Sequence, residues 1–158
     1  MRSVLATSYL YGKLNVMGKE GIEKLCRRLA TERARTLLTI GRAIEEKDLL
    51  MPSGTDDLSV LDILELIATS DAEFTSDMVS LMEAPQVGPF LHPLYFVRVA
   101  SERRGKLLTE LSTMTDEDLD QLYLNTGMTV REVVEELIAD ECEHLRPALE
   151  RYIESKGN

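Results

Sequence analysis

Residues 136–149 read ELIADECEHLRPAL, a run in which Leu137, Leu145 and Ala148 recur at helical spacing around carboxylates and a histidine. With Val130 and Val134 ahead of them, these residues draw one apolar stripe along an amphipathic helix, and Glu141 falls inside that stripe. His144 falls at its margin and Asp140 beyond it. An earlier stretch, ELIATSDAEF at 65–74, nearly repeats the pattern without the histidine. Two helices of this kind, each turning a carboxylate toward its apolar side, point to an all-α protein with charge directed inward.

The rest of the chain extends this reading. Gly18, Pro52-Ser53-Gly54, the 85–89 run PQVGP with Pro93 beyond it, and Asn125-Thr126-Gly127 break the sequence, and four helix-length segments lie between the breaks. The first is expected from about Lys19 to Asp48, with Ile22, Leu25, Cys26, Leu29, Leu37, Ile40 and Ile44 on its apolar side. The second opens at Ser59 with Asp62 three residues on, and the fourth at Thr129 with Glu132 three residues on. In both, a hydroxyl and a carboxylate are placed to satisfy the free N–H groups of a helix start. The third starts at Pro93, where a missing N–H costs nothing, and runs to about Leu111. Between the third and fourth, TDEDLDQLYL reads as a short extra helical turn with Thr115 and Asp116 as candidate caps. Pro147 removes a backbone donor within the last segment, so that helix should kink there or end and restart. No stretch alternates as a strand does. The expectation is one four-helix-bundle domain over residues 1–158, with 1–18 as an N-terminal extension.

Composition narrows the function classes. The chain carries 18 Lys and Arg against 28 Asp and Glu, a formal net charge of −10, and has no Trp. Such a charge repels phosphate backbones and anionic lipid, and few aromatic rings are present to stack on bases, so neither nucleic acid nor membrane is an expected partner. No apolar run approaches the roughly 20 residues that cross a bilayer. Cys26 and Cys142 form neither a disulfide framework nor a metal-binding pair, which suits a reducing cytoplasm. Cys26 lies on the core stripe and Cys142 toward a helix edge, and neither has a neighbour that marks a nucleophile.

Projecting each helix at 100° per residue leaves four charges inside apolar stripes: Arg33 on the first, Asp71 on the second, Arg104 on the third and Glu141 on the fourth. Each lies about a dozen residues from its helix start, so the four can share one level. Two arginines and two carboxylates make a balanced layer, either a structural ion cluster or a site for a small anionic or zwitterionic ligand or cofactor. Asp140 and His144, at i and i+4, reach one ion from one helix face, and Glu141 with His144 has the Glu-x-x-His spacing of carboxylate-bridged metal bundles. His92, ahead of Pro93, projects away from the third helix's stripe. Met17, Leu38, Tyr95 and Tyr123 fall off the principal stripes and are candidates for a dimer interface.

The order of a helix opening SVLDILELIA (59–68), a proline-rich crossing, ERRGKLLTEL (102–111), TDEDL (115–119) and GMTVREVVEELIADECEHLRPAL (127–149) resembles the DinB-like (DinB/YfiT-type) superfamily. The resemblance covers about residues 20–155. It implies an up-down-down-up four-helix bundle, a homodimer, and in many members a divalent metal held by three histidines, with some acting as thiol transferases. This chain has Asp140 and His144 where the family has the two histidines of the last helix. The second-helix histidine falls at Glu65 or Leu66. The implied ligand set is His144, Asp140 and Glu65, a degenerate site for manganese, nickel or zinc whose oxygen donors favour harder ions such as manganese. Three readings stay open: a metal-dependent enzyme with His144 as retained ligand, a non-catalytic bundle, and a bundle whose polar layer binds a small molecule.

Overall fold

The computed structural model describes residues 20–71, 92–123 and 126–157. Among these, the protein is helical without named strands. The elements are α1 (Ile22–Ala43), a 3₁₀ turn (Glu46–Asp48), α2 (Val60–Thr69), α3 (Pro93–Leu111), a second 3₁₀ turn (Asp118–Asp120), α4 (Val130–Ala139), a π-helical segment (Asp140–Leu145) and α5 (Arg146–Lys156). No helix among the described residues is long and apolar enough to cross a membrane. Phe74 and Met78, expected on the second helix, Met17 and the N-terminal extension lie outside the described residues.

Capping chemistry sets the helix starts. Ser59 Oγ accepts from the Asp62 N–H (3.1 Å) while Asp62 Oδ2 accepts from the Ser59 N–H (2.9 Å). Thr129 and Glu132 reciprocate in the same way, at 3.1 and 2.8 Å. Each capped helix is entered through an isolated antiparallel bridge, Pro52 with Ser59 and Leu122 with Thr129, across a turn whose glycine, Gly54 or Gly127, has positive φ. Pro93 occupies the first turn of α3, and the N-cap is His92, whose Nδ1 accepts from the Leu94 N–H at 3.0 Å. The N-cap of the second 3₁₀ turn is Glu117, and Thr115, a candidate cap, exchanges hydrogen bonds with Asp118 just ahead of it. Asp116 reaches elsewhere: its Oδ1 accepts from the Ile22 N–H (2.9 Å) and caps α1.

Two boundaries differ from the sequence expectation, one being that of α2, which ends at Thr69 and leaves Asp71 in the 3₁₀ turn behind it. The first helix stops at Ala43 rather than near Asp48, because Ile44 turns extended and buries its side chain while Glu45 and Asp48 form a capping box for the 3₁₀ turn. The last helix does end and restart near Pro147: α4 closes at Ala139 and α5 opens at Arg146. The π-helical segment joins them, with the Arg146 N–H bonded to the Glu141 carbonyl five residues back, and Pro147 lies in the first turn of α5, where a missing N–H is tolerated.

The apolar interior has two parts. One gathers Ile40, Ile44, Leu49, Val60, Ile63, Leu64, Ile67, Phe96, Ala100, Ala148, Leu149 and Tyr152. The other gathers Leu25, Leu29, Leu107, Leu111, Leu119, Val130, Val134, Leu137 and Ile138. On α1, Arg33 lies between Leu29 of one part and Ile40 of the other. On α3, Arg104 lies between Leu107 and Ala100, and along the last helix Glu141 lies between Ile138 and Ala148.

The C-terminal end of α5 is fastened to the first 3₁₀ turn. Tyr152 donates its hydroxyl to Asp48 Oδ1 (2.6 Å), and Lys156 Nζ donates to Asp48 Oδ2 (2.6 Å) and to the Ala43 carbonyl (2.6 Å). Burial, reinforced by the hydrogen bond to Asp48 and its charge, pushes the Tyr152 phenol up to about 12. Because the folded value exceeds the ordinary 10.0, this contribution is whole below pH 10 and is lost as the pH rises toward 12. Tyr152→Phe is expected to cost about 2 kcal/mol at neutral pH and to flatten the alkaline fall in stability, read from urea melts between pH 8 and pH 12. An alkaline limb identical to that of the parent protein would detach Tyr152 from this behaviour.

Candidate functional site

The four inward charges come together at the centre of the molecule. Arg33 from α1 donates from Nε to Glu141 Oε2 (3.0 Å) and Oε1 (3.3 Å), and from Nη2 to Glu141 Oε1 (3.1 Å). Its Nη2 also reaches Ser70 Oγ (3.2 Å), and its Nη1 reaches the Ala100 carbonyl (2.8 Å). Arg104 from α3 clasps Asp71 in two places, Nε to Oδ2 at 2.6 Å and Nη2 to Oδ1 at 3.0 Å. It also donates to Glu141 Oε1 (2.8 Å) and to the Leu29 carbonyl (2.6 Å). Arg33 and Asp71 complete the ring at 3.8 Å. None of the four is more than 3% exposed, so the cluster is closed to bulk water.

Burial and pairing act in opposite directions here. Burial alone would raise the Glu141 carboxyl, but the guanidinium groups of Arg33 and Arg104 outweigh it and hold Glu141 below the usual carboxylate range. Burial would lower Arg104, but Asp71 and Glu141 outweigh it and raise the guanidinium further. Glu141 and Arg104 are therefore held in their charged forms at neutral pH. Both guanidinium forks already end on carboxylates and carbonyls, an arrangement that suits internal architecture and gives an added anion little to bind.

Beside this cluster lies an open groove of about 430 Å³, lined by Leu66, Thr69 and Ser70 from the second helix and by Val133, Glu136, Leu137, Asp140, His144 and Leu145 from the last. Ser70 belongs to both: it lines the groove and accepts from Arg33. Asp140 and His144 share one wall, as their i and i+4 spacing requires, and both are exposed. Glu65 is also exposed but is not among the groove's lining residues, and of the two second-helix positions the resemblance offered it is Leu66 that lines the groove, with Thr69 and Ser70. Among the described residues, no group of three or more His, Cys, Asp or Glu side chains is placed to hold a metal ion. Two donors and a leucine do not make a three-ligand site.

Other candidates are less involved. His92 is spent as a helix cap. Leu38 is 53% exposed, while Tyr95 is half-buried and stands edge-on to Phe96. Cys26 and Cys142 are half-buried against the second apolar cluster, and burial pushes the Cys26 thiol up, away from thiolate chemistry. The hydroxyls of Thr69 and Ser70 and the Glu136 carboxylate were not singled out by the apolar-stripe projection. Ser70 had a signal in its position directly before the inward Asp71. No family model, curated protein or solved structure matches this chain.

Proposed function

We propose that the protein is a DinB-like, up-down-down-up helical bundle that binds a small organic molecule in the groove between its second and last helices, and holds a divalent ion there weakly at most. The direction of the helices is supported by the pairing levels. Arg33 meets Glu141 and Ala43 meets Lys156, so the first and last helices run alike. Leu29 meets Arg104 and Ile22 meets Asp116, so the third runs against the first.

The observation that carries the reading is the composition of the groove, in which Leu66, Val133, Leu137 and Leu145 provide apolar wall and Glu136, Asp140, His144, Thr69 and Ser70 provide polar groups. Among the described residues Glu136 and Asp140 have no ion-pair partner, and together with the net charge of −10 they favour a ligand with a cationic head and an apolar body. The rival reading is a metal-dependent enzyme using His144, supported by the placement of Asp140 and His144 on one wall. Manganese, nickel or zinc would need a further donor where Leu66 stands, so no reaction is derived through a metal.

A thermal-shift comparison tests the two. Small aliphatic and aromatic amines are expected to raise the melting temperature of the parent protein by several degrees at saturating concentration, and Leu66→Arg, which puts a cation and bulk into the groove, should abolish the rise. Tag-free protein carrying one equivalent of metal by elemental analysis, with His144→Ala removing it, would overturn the proposal in favour of the enzyme. No rise with any amine would end the ligand reading.

A further inference from the structure

A second groove, of about 370 Å³, lies on a different face of the protein, between α1 and α5, and is lined by Arg35, Leu38, Thr39, Arg42, Arg146 and Glu150. Three of its six lining residues are arginines, on a chain whose net charge is −10. Random placement of surface charge on so acidic a protein does not favour such a concentration, and a cationic recess on an anionic surface focuses the field on small anions.

The three arginines differ in how far they are committed. Arg146 is 8% exposed. Its Nη2 donates to Glu32 Oε1 (2.7 Å), and its Nη1 donates to the Glu32 carbonyl (3.1 Å) and to Thr36 Oγ1 (3.4 Å). Its Nε has no hydrogen-bond acceptor among the described residues and stands 3.9 Å from Glu150 Oε2, itself part of the groove. A buried guanidinium N–H without an acceptor costs free energy that an incoming oxygen would recover. Arg35 is largely exposed and makes only a long contact with Glu32 (3.5 Å), the kind of surface pair that contributes little and yields readily. Arg42 has no ion-pair or hydrogen-bond partner among the described residues.

Spacing defines the shape of the ligand. Arg35 and Arg42 stand seven residues apart on α1, two turns along one face, with Leu38 and Thr39 between them. Arg146 faces them from α5. We propose that this groove binds a small anion with its negative groups at opposite ends. One end lies against Arg42 and the other against Arg35 and the Nε–H of Arg146, while the connecting atoms rest on Leu38. Glu150 narrows the choice further, because its carboxylate accepts from a hydroxyl or amine on the ligand. Phosphate and carboxylate share the required chemistry, since a guanidinium fork pairs with two oxygens of either.

The test is a calorimetric titration of the full chain at physiological salt, with inorganic diphosphate and succinate as separate probes and the Arg35→Gln/Arg42→Gln double variant beside the parent. Both arginines are exposed and make no buried contact, so the variant should melt where the parent does, which a thermal scan verifies. Saturable one-to-one binding of at least one probe, weakened about tenfold or more in the variant, supports the site, and the preferred probe tells phosphate from carboxylate. Binding equal in parent and variant, or no saturable binding of either probe at millimolar concentration, overturns it. The Leu66→Arg variant of the other groove should titrate as the parent does, so the two sites succeed or fail separately.

Discussion

Glu141→Ala is expected to lower the free energy of unfolding by about 3 to 5 kcal/mol, more than any exposed substitution on this protein. Glu141 accepts from both Arg33 and Arg104 in a space with no water to take its place. Once it is gone, two buried guanidinium groups share the single carboxylate of Asp71, and Arg33 already stands 3.8 Å from it. The cost is the stranding of cations rather than the loss of an attractive pair, so Glu141→Gln, which keeps the shape and two hydrogen-bonding atoms, should fall between the parent and the alanine variant. Urea unfolding with an unchanged slope measures the difference. The pH dependence has a definite sign. Because folding depresses the Glu141 carboxyl, its contribution is whole above the ordinary carboxylate range and is lost as the pH falls through the lowered value. The gap between parent and Glu141→Ala should therefore narrow in acid. A loss below about 1 kcal/mol at neutral pH would mean that the cluster relaxes to let water in.

Replacing all four charges together should have the opposite outcome. The variant Arg33→Met, Asp71→Leu, Arg104→Met, Glu141→Met is expected to fold, with an unfolding free energy equal to that of the parent or up to about 4 kcal/mol above it. Removing every member strands none, and the apolar side chains join the two halves of the interior that the charges now separate. The Leu29 and Ala100 carbonyls lose their guanidinium donors but remain within helices that supply their ordinary N–H partners. What the variant gives up is a constraint: the charged layer permits one axial alignment of the helices, whereas an all-apolar interior tolerates a slide of one turn. Denaturant melts read the stability, and the dispersion of amide resonances reads the uniqueness of the fold. A molten spectrum with a preserved helical signal would show that the charges select the packing. A chain that does not fold at all would show that they stabilise it outright.

The sequence announced these charges because a helix projects its residues predictably. Asp71 and Glu141 each stand a dozen residues past a capped start, at Ser59 and Thr129, and capping boxes are among the few local signals whose geometry is nearly fixed by chemistry. With the starts placed, the level and facing of the charges followed. The end of α1 was not legible, because Ile44 fits both a continuing helical stripe and a buried extended residue. The π-helical segment was marked only by Pro147 just beyond it, while the ion pairs that tie Glu141 and Arg146 to α1 had no local signal. Arg131 and Arg146 are not among the four inward charges of the projection, yet both are buried, their long stems covered and their heads bonded to the carbonyls of Glu20 and Glu32. The ligand groove was half visible. Asp140 and His144 stand out in the string, but Leu66 and the hydroxyl of Ser70 acquire meaning only when two helices are set side by side.

The cap of α1 has an implication for the order in which the chain assembles. The N–H of Ile22 is satisfied by Asp116, a residue 94 positions away. A Cβ at Gly21 would come within 2.9 Å of that same carboxylate, so the approach depends on the bare glycine. Until that distant turn docks, the Ile22 N–H is left to water, so the first turn of α1 is without this cap in the nascent segment. That end of α1 is thus among the last parts to close during folding and among the first to fray, and a side chain at residue 21 would act there while leaving the charged centre untouched.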